Sequence, residues 1–239
     1  MLTEGIYLDE FGIKFTSTYY KARFVVLTIV SLSLFYYERY QSLRLEKINS
    51  ELNALKAQIN PHFLFNTLNG IYGLSLTNST KTSDSILKLS SIMRYVLTET
   101  NTDLVYLKHE LDYIDNYIDL QKIRLTDKTS INYTITGDLA DQKVPPLLFI
   151  NFIENAFKYG LSNEVNTTIE IQIQIQKNKL TLIVKNNKIS NRFNEQISSN
   201  IGMPNIKKRL QLLYGSNYNL KINDFESTYE LALKINLHD

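Results

Sequence analysis

Gln58–Tyr72, QINPHFLFNTLNGIY, sets a histidine directly behind a proline at the point where a run of leucines changes phase. Upstream, Leu45, Ile48, Leu52, Leu55 and Ile59 alternate steps of three and four, a heptad seam with Glu46, Lys47 and Lys56 off it. Pro61 has no amide to donate and its ring crowds the carbonyl four residues back, so the helix is expected to kink or break there. If helix resumes, Leu64, Leu68 and Ile71 form the new apolar stripe. At roughly 100° per residue His62 then falls about 150° from the centre of that stripe, with Asn66, Asn69 and Gly73 on its own face. The spacing predicts an exposed histidine beside a helical seam. The seam itself reads either as a coiled-coil connector between two chains or as an amphipathic helix packing on its own domain.

On the N-terminal side, Phe24–Tyr37 is an uncharged run of 14 residues between Arg23 and Glu38. As a helix it rises about 21 Å, short of a hydrocarbon core of roughly 30 Å. Extended over Tyr19–Tyr40 it reaches about 33 Å, with Tyr19, Tyr20, Tyr36, Tyr37 and Tyr40 at the two ends like interfacial belts and Lys21 and Arg23 placed to snorkel. This predicts a membrane helix; a buried core helix and an uncleaved signal-like segment are the alternatives. Lys and Arg are balanced on both sides and set no orientation.

On the C-terminal side, Ser83–Glu99 carries Ile86, Leu89, Met93 and Val96/Leu97 at helical spacing behind Ser83 or Asp84 as cap, the natural antiparallel partner of the His62 helix. Leu107–Leu125 is a third amphipathic helix with Leu111, Ile114, Ile118 and Ile123 apolar. The period then switches. Ser130–Thr136 alternates as a strand, and Pro145–Gly160 is an apolar helix opened by Pro145 or Pro146 and closed by Gly160. Thr168–Gln176 places Ile169, Ile171, Ile173 and Ile175 at period two, and Leu180–Asn186 is its hairpin partner. Residues 187–201 read as a polar loop, Pro204–Tyr214 as a helix, and strands near Tyr218–Asn223 and Thr228–Leu237 finish the chain. The fold class is α+β, with helices against one face of a sheet.

Composition narrows the chemistry. Of 239 residues 44% are hydrophobic and 21% charged, with a net charge of +2, so nothing global points to nucleic acid. Without cysteine there is no disulfide, thiolate site or cysteine nucleophile. His62, His109 and His238 are the three histidines, too scattered for a zinc site. Imidazole is a usable nucleophile near neutral pH, and only an exposed one can meet a nucleotide carried by another domain. A surface histidine beside a helix break is the bland alternative.

QINPHFLFNTLN, then ENAFKYG, then GMPNIKKRLQLLYG together resemble the LytS-like sensor histidine kinases, over about residues 45–237. With the apolar run and a turn at Asp127–Thr129 as boundaries, the chain divides into an N-terminal segment with a membrane helix (1–40), a connector and helical-hairpin dimerisation and phosphotransfer region (41–126), and an α+β domain (127–239) that the resemblance implies is a Bergerat-type α/β sandwich binding ATP. The resemblance implies His62 as phosphoacceptor, ATP and Mg²⁺ as ligands, a homodimer at a bacterial cytoplasmic membrane with its catalytic domains in the cytoplasm, and a response regulator, of LytTR type, as partner. Asn66, one turn on, stands where related kinases position water for dephosphorylating the regulator. Phe63 stands where many histidine kinases carry an acidic base.

Asn151, Glu154, Asn155, Lys158 and Tyr159 share one broad face of the Pro145–Gly160 helix, which on pattern alone is an ordinary solvent face. The resemblance makes it the nucleotide-binding asparagine box. Asn155 would offer a carbonyl oxygen to Mg²⁺, Lys158 a point charge to phosphate, and Glu154 a group to orient water or move a proton. Where the family has Asp-x-Gly for adenine, this chain has Asn186-Asn187-Lys188, keeping a carbonyl acceptor without the charge. Where the family has Gly-x-Gly-Leu-x-Asn, it has Asn200-Ile201-Gly202-Met203-Pro204-Asn205, so that Gly202 and Asn205 match. The leading reading is a histidine kinase. A dimeric scaffold or phosphatase with eroded nucleotide binding is the second, and a chaperone-like ATPase, which leaves the histidine motif unexplained, the third.

Overall fold

The computed structural model describes residues 17–58, 61–100, 102–139, 141–162, 164–189 and 196–237, with side chains of 17–19, 46–58 and 196–202 outside the description. The chain falls into two compact units, Met1–Ile59 and Asn60–Asp239.

The first unit contributes one helix, α1 (Ser17–Gln58). Its residues from Tyr20 to Tyr40 are exposed. Among the described residues no helix is long and apolar enough to cross a membrane, so the spanning segment expected over Tyr19–Tyr40 is not found. The reason is its length. The uncharged core is only 14 residues, and each lengthening brings in Lys21, Arg23, Glu38 or Arg39 before the hydrocarbon thickness is reached. Of the heptad positions, Leu45 is exposed, and the side chains of Ile48, Leu52, Leu55 and Ile59 lie outside the described residues.

The second unit opens at Pro61 with α2 (Pro61–Leu76), where the missing proline amide removes no helical bond. Its buried residues are Phe63, Thr67 and Ile71. The expected stripe of Leu64, Leu68 and Ile71 is therefore turned by one residue, and Leu68 is exposed. Phe63 causes the turn: its ring stacks on Tyr117 at 4.8 Å between centroids. A short turn, residues 77–80, leads into α3 (Lys81–Thr98), whose Ser85, Leu89, Ile92, Tyr95 and Val96 are buried. Thr80 stands at its N-cap without a side-chain bond, in place of the expected Ser83 or Asp84. A ladder of two residue pairs, β1 (Val105–Tyr106) with β3 (Lys143–Val144), precedes and follows α4 (Leu107–Lys122).

The sheet has the order β2-β4-β5-β7-β6, from β2 (Thr129–Thr136), β4 (Thr167–Gln176), β5 (Lys179–Asn187), β6 (Tyr218–Asp224) and β7 (Thr228–Asn236). β2 runs parallel to β4 and every other pairing is antiparallel. Between β2 and β4 the chain crosses over through α5 (Ile150–Gly160), as a parallel pair requires. Ile169, Ile171, Ile173, Leu180, Leu182 and Leu233 are buried on the covered face, while Gln172, Gln174, Gln176 and Lys234 point to solvent. The last helix, α6 (Gln196–Tyr214), begins well before Pro204, so the polar loop expected to run to residue 201 already gives way to helix at Gln196.

Candidate functional site

His62 lies exposed in the first turn of α2. One turn on, the Asn66 amide nitrogen stands 2.9 Å from His62 Nε2 and 3.2 Å from Nδ1. A neutral imidazole has one ring nitrogen able to accept, and the tautomer decides which of the two can take a bond from this amide. Directly behind the histidine, Phe63 is buried against Tyr117, and Tyr117 meets Phe157 of α5 edge-on at 5.6 Å. The histidine is thus exposed while its neighbour is locked, and the lock reaches α5.

On α5, Ile150, Phe152, Ile153, Ala156, Phe157 and Gly160 are buried. The other five residues are Asn151, Glu154, Asn155, Lys158 and Tyr159, the set singled out from spacing. Lys158 is exposed, with its ammonium 5.0 Å from the Tyr159 ring centre, and the rest are partly buried. The charge of Glu154 reaches α4: burial, then this carboxylate, pushes the Tyr113 and Tyr117 hydroxyls above their usual range. The Asn151 amide donates to the Leu147 carbonyl at 3.1 Å.

The end of α5 is brought onto β5 by Gly160. A Cβ there would lie 2.8 Å from Asn186 Cβ and 3.2 Å from Ile169 Cγ1, so glycine serves close packing rather than a left-handed turn. Asn186 is buried. Its side-chain nitrogen donates to the Asn187 carbonyl at 2.9 Å, which leaves its oxygen as the acceptor. Lys188, where glycine was expected, forms an ion pair with Asp224. Asn205 is exposed on α6, and Gly202 lies within the same helix, its surroundings outside the described residues.

Sequence reasoning missed a group beneath α5. That helix starts at Ile150 instead of Pro145. The residues between form a turn in which Leu147 has φ 52°, and Glu110 of α4 holds it. Glu110 is fully buried. Its carboxyl accepts from the Leu147 amide, from Leu148 N at 3.3 Å and from the Tyr95 hydroxyl of α3. Burial pushes this carboxyl above its ordinary value, and the bonds from Tyr95, Leu147, Leu148 and Phe149 pull it back. From α6, Arg209 Nη2 donates to the Pro146 carbonyl at 2.6 Å and Nη1 to that of Leu147 at 3.1 Å. The signal was present: Glu110 falls on the stripe of Leu107, Leu111 and Ile114, a charge among apolar positions.

The donor set fits a magnesium nucleotide. Asn155 would offer an amide oxygen, Lys158 a cation and Asn186 an acceptor for an amino group. Among the described residues no cluster of three His, Asp or Glu side chains could hold a metal by itself. Mg²⁺ would take Asn155 from the protein and complete its shell with phosphate and water.

A family model described as histidine kinase matches residues 50–129. The sensor protein LytS of Staphylococcus epidermidis is 27% identical over 191 residues, covering 75% of this chain and 32% of its own. The sensor histidine kinase YpdA of Escherichia coli is 31% identical over 206 residues, covering 82% and 36%. The histidine kinase domain from Erythrobacter litoralis EL346 blue-light activated histidine kinase aligns with 13% identity, 77% and 92% coverage and a TM-score of 0.40. The family match and the two curated relatives make the chain similar to the sensor histidine kinases. Among these its likeness is to LytS. The chain spans about a third of the length of the curated relatives that it matches.

Proposed function

We propose that this chain carries the phosphotransfer and ATP-binding parts of a two-component sensor, residues 41–126 serving the first and 127–239 the second. One observation carries the reading: the exposed His62 and the polar face of α5 belong to one compact unit, joined by the Phe63–Tyr117–Phe157 stack. In this reading Asn151, Asn155, Lys158, Tyr159, Asn186, Gly202 and Asn205 hold ATP, and bound Mg²⁺ neutralises phosphate charge. An unprotonated ring nitrogen of His62 attacks the γ-phosphorus as the bond to the β-phosphate oxygen breaks, and the phosphoryl group then passes to an aspartate of a response regulator, of LytTR type. Positioning and charge neutralisation supply most of the rate. Glu154 orients water or moves a proton, and Asn66 places water when phosphate is removed from the regulator.

A homodimer is supported by apolar side chains left exposed on one chain: Phe65, Leu68, Tyr72 and Leu76 of α2, and Ile86 and Leu97 of α3. The test is incubation of the full chain with γ-labelled ATP and Mg²⁺ beside His62→Gln and Asn155→Asp. Label absent from wild type, or retained in His62→Gln, defeats the reading. A second reading, a scaffold or regulator phosphatase with weak nucleotide binding, is favoured by Lys188, whose charge is spent on Asp224 where a glycine was expected. Nucleotide binding without label selects it.

A further inference from the structure

Among the described residues Glu110 is the one charged side chain in the buried core, and the phosphotransfer chemistry makes no use of it. Opposite it, across the turn that enters α5, stands the Arg209 guanidinium. Between them Leu147 holds φ 52°, a conformation that crowds the Cβ of any residue but glycine. Each polar atom of that peptide is taken: its amide by Glu110, its carbonyl by Arg209 and by Asn151. We propose that Glu110 and Arg209 are positioning residues, a two-sided clamp that keeps Leu147 left-handed so that its carbonyl fixes Asn151 and the polar face of α5 for nucleotide binding.

The inference rests on the reading of α5 as the nucleotide helix. It adds a route to that helix from two others. Tyr95 of α3 donates to the same carboxyl, and Arg209 belongs to α6. A shift of α6 removes a bond from the turn that orients Asn151, and a shift of α3 removes one from the carboxyl that holds that turn. Plain capping of α5 needs an acceptor for its first amides; it needs neither a hydroxyl from α3 nor a guanidinium on the preceding carbonyls. Lysine cannot replace that guanidinium, since a single ammonium lacks the planar fork that reaches two carbonyls.

The test uses the full chain as wild type, Arg209→Lys, Glu110→Gln and Arg209→Lys with Leu147→Gly. Two readouts are taken beside the thermal midpoint: amide exchange over residues 147–152 and Mg-ATP affinity by calorimetry. Arg209→Lys is expected to raise exchange there and weaken Mg-ATP by about tenfold, with residues 169–184 unchanged and Glu110→Gln acting in the same direction. Leu147→Gly in the Arg209→Lys background is expected to restore affinity to within about threefold, because glycine takes this φ without a clamp. The clamp is overturned if both single variants leave exchange and affinity as in wild type. It is also overturned if the affinity loss merely follows the thermal midpoint and glycine restores nothing. A wild type that binds no Mg-ATP refutes the nucleotide reading instead. The exchange readout then decides the clamp, upheld by raised exchange over residues 147–152 in Arg209→Lys with recovery on Leu147→Gly and overturned without them.

Discussion

The rings of Phe63 and Tyr117 lie 4.8 Å apart with their planes 28° from parallel. This contact joins the residue after His62 to the middle of α4, and α4 continues the contact to Phe157. An aromatic stack adds about 0.5–1.5 kcal/mol to what burial alone provides. It fixes the first turn of α2, where the histidine sits, while leaving the imidazole in solvent.

Phe63→Ala is therefore expected to cost about 3–5 kcal/mol of stability, read from urea midpoints. Phe65→Ala, at a residue 66% exposed, is expected to stay within about 0.5 kcal/mol. Both are phenylalanines two residues apart in one motif, and equal effects would disprove the lock.

Asn66→Ala removes the amide that stands 2.9 Å from His62 Nε2. Labelling from γ-labelled ATP is expected not to slow, since the ring nitrogen loses a competing donor. Loss of phosphate from a labelled regulator is expected to slow by about tenfold or more. Stability, followed in parallel, stays within about 0.5 kcal/mol.

Gly160→Ala drives a methyl to within 2.8 Å of Asn186 Cβ. The expected cost is about 1–3 kcal/mol from overpacking, with weaker Mg-ATP binding because Asn186 must move. Calorimetry and thermal melting on the same sample check both parts.

Two carboxyls of α4 respond to pH in opposite senses. Burial raises Glu110 above its ordinary 4.5, so the folded state holds this proton more tightly than the unfolded chain does. Its stabilising effect is complete below 4.5 and is lost as pH rises through the native value. Asp119 is also pushed up by burial, but its bonds to Lys88 and Lys122 win and lower it below 3.8. Its effect is present above 3.8 and is lost as pH falls through the native value. With 41% of the Asp119 side chain exposed, that effect is worth at most about 1 kcal/mol. Urea midpoints against pH for wild type, Glu110→Gln and Asp119→Asn are expected to show the Glu110 difference shrinking toward alkaline pH and the Asp119 difference shrinking toward acid.

Period and spacing carried much of this fold. The isoleucines of β4 fall at period two, and the five polar residues of α5 recur at helical intervals, so strand, helix and face could be read directly. The exposure of His62 followed from the phase change at Pro61. The stripe behind it did not: Thr67 is polar in sequence yet buried, and Phe63 in sequence is only the residue standing where many histidine kinases carry a base, because the position of Tyr117 alone tells which flank of α2 is covered. Pro145 and Pro146 suggested an early start for α5. The actual start is set by Leu147, whose strained backbone is held by partners 37 residues before it and 62 after. No local rule reads bonds of that range. The 14-residue apolar run resembles a membrane span by its tyrosines, while among the described residues no helix is long and apolar enough to cross a membrane.

The ladder of Val105–Tyr106 with Lys143–Val144 limits how this molecule can be dissected. It stitches the entrance of α4 to the strand leading into the Leu147 turn, across a stretch where sequence alone would invite a cut near Asp127. A fragment beginning there would leave behind Glu110, the acceptor of that turn, and Tyr117, the ring under Phe157. Any chimera or minimal nucleotide-binding piece should therefore be severed ahead of Val105, so that α4 travels with the sheet as part of the inheritance.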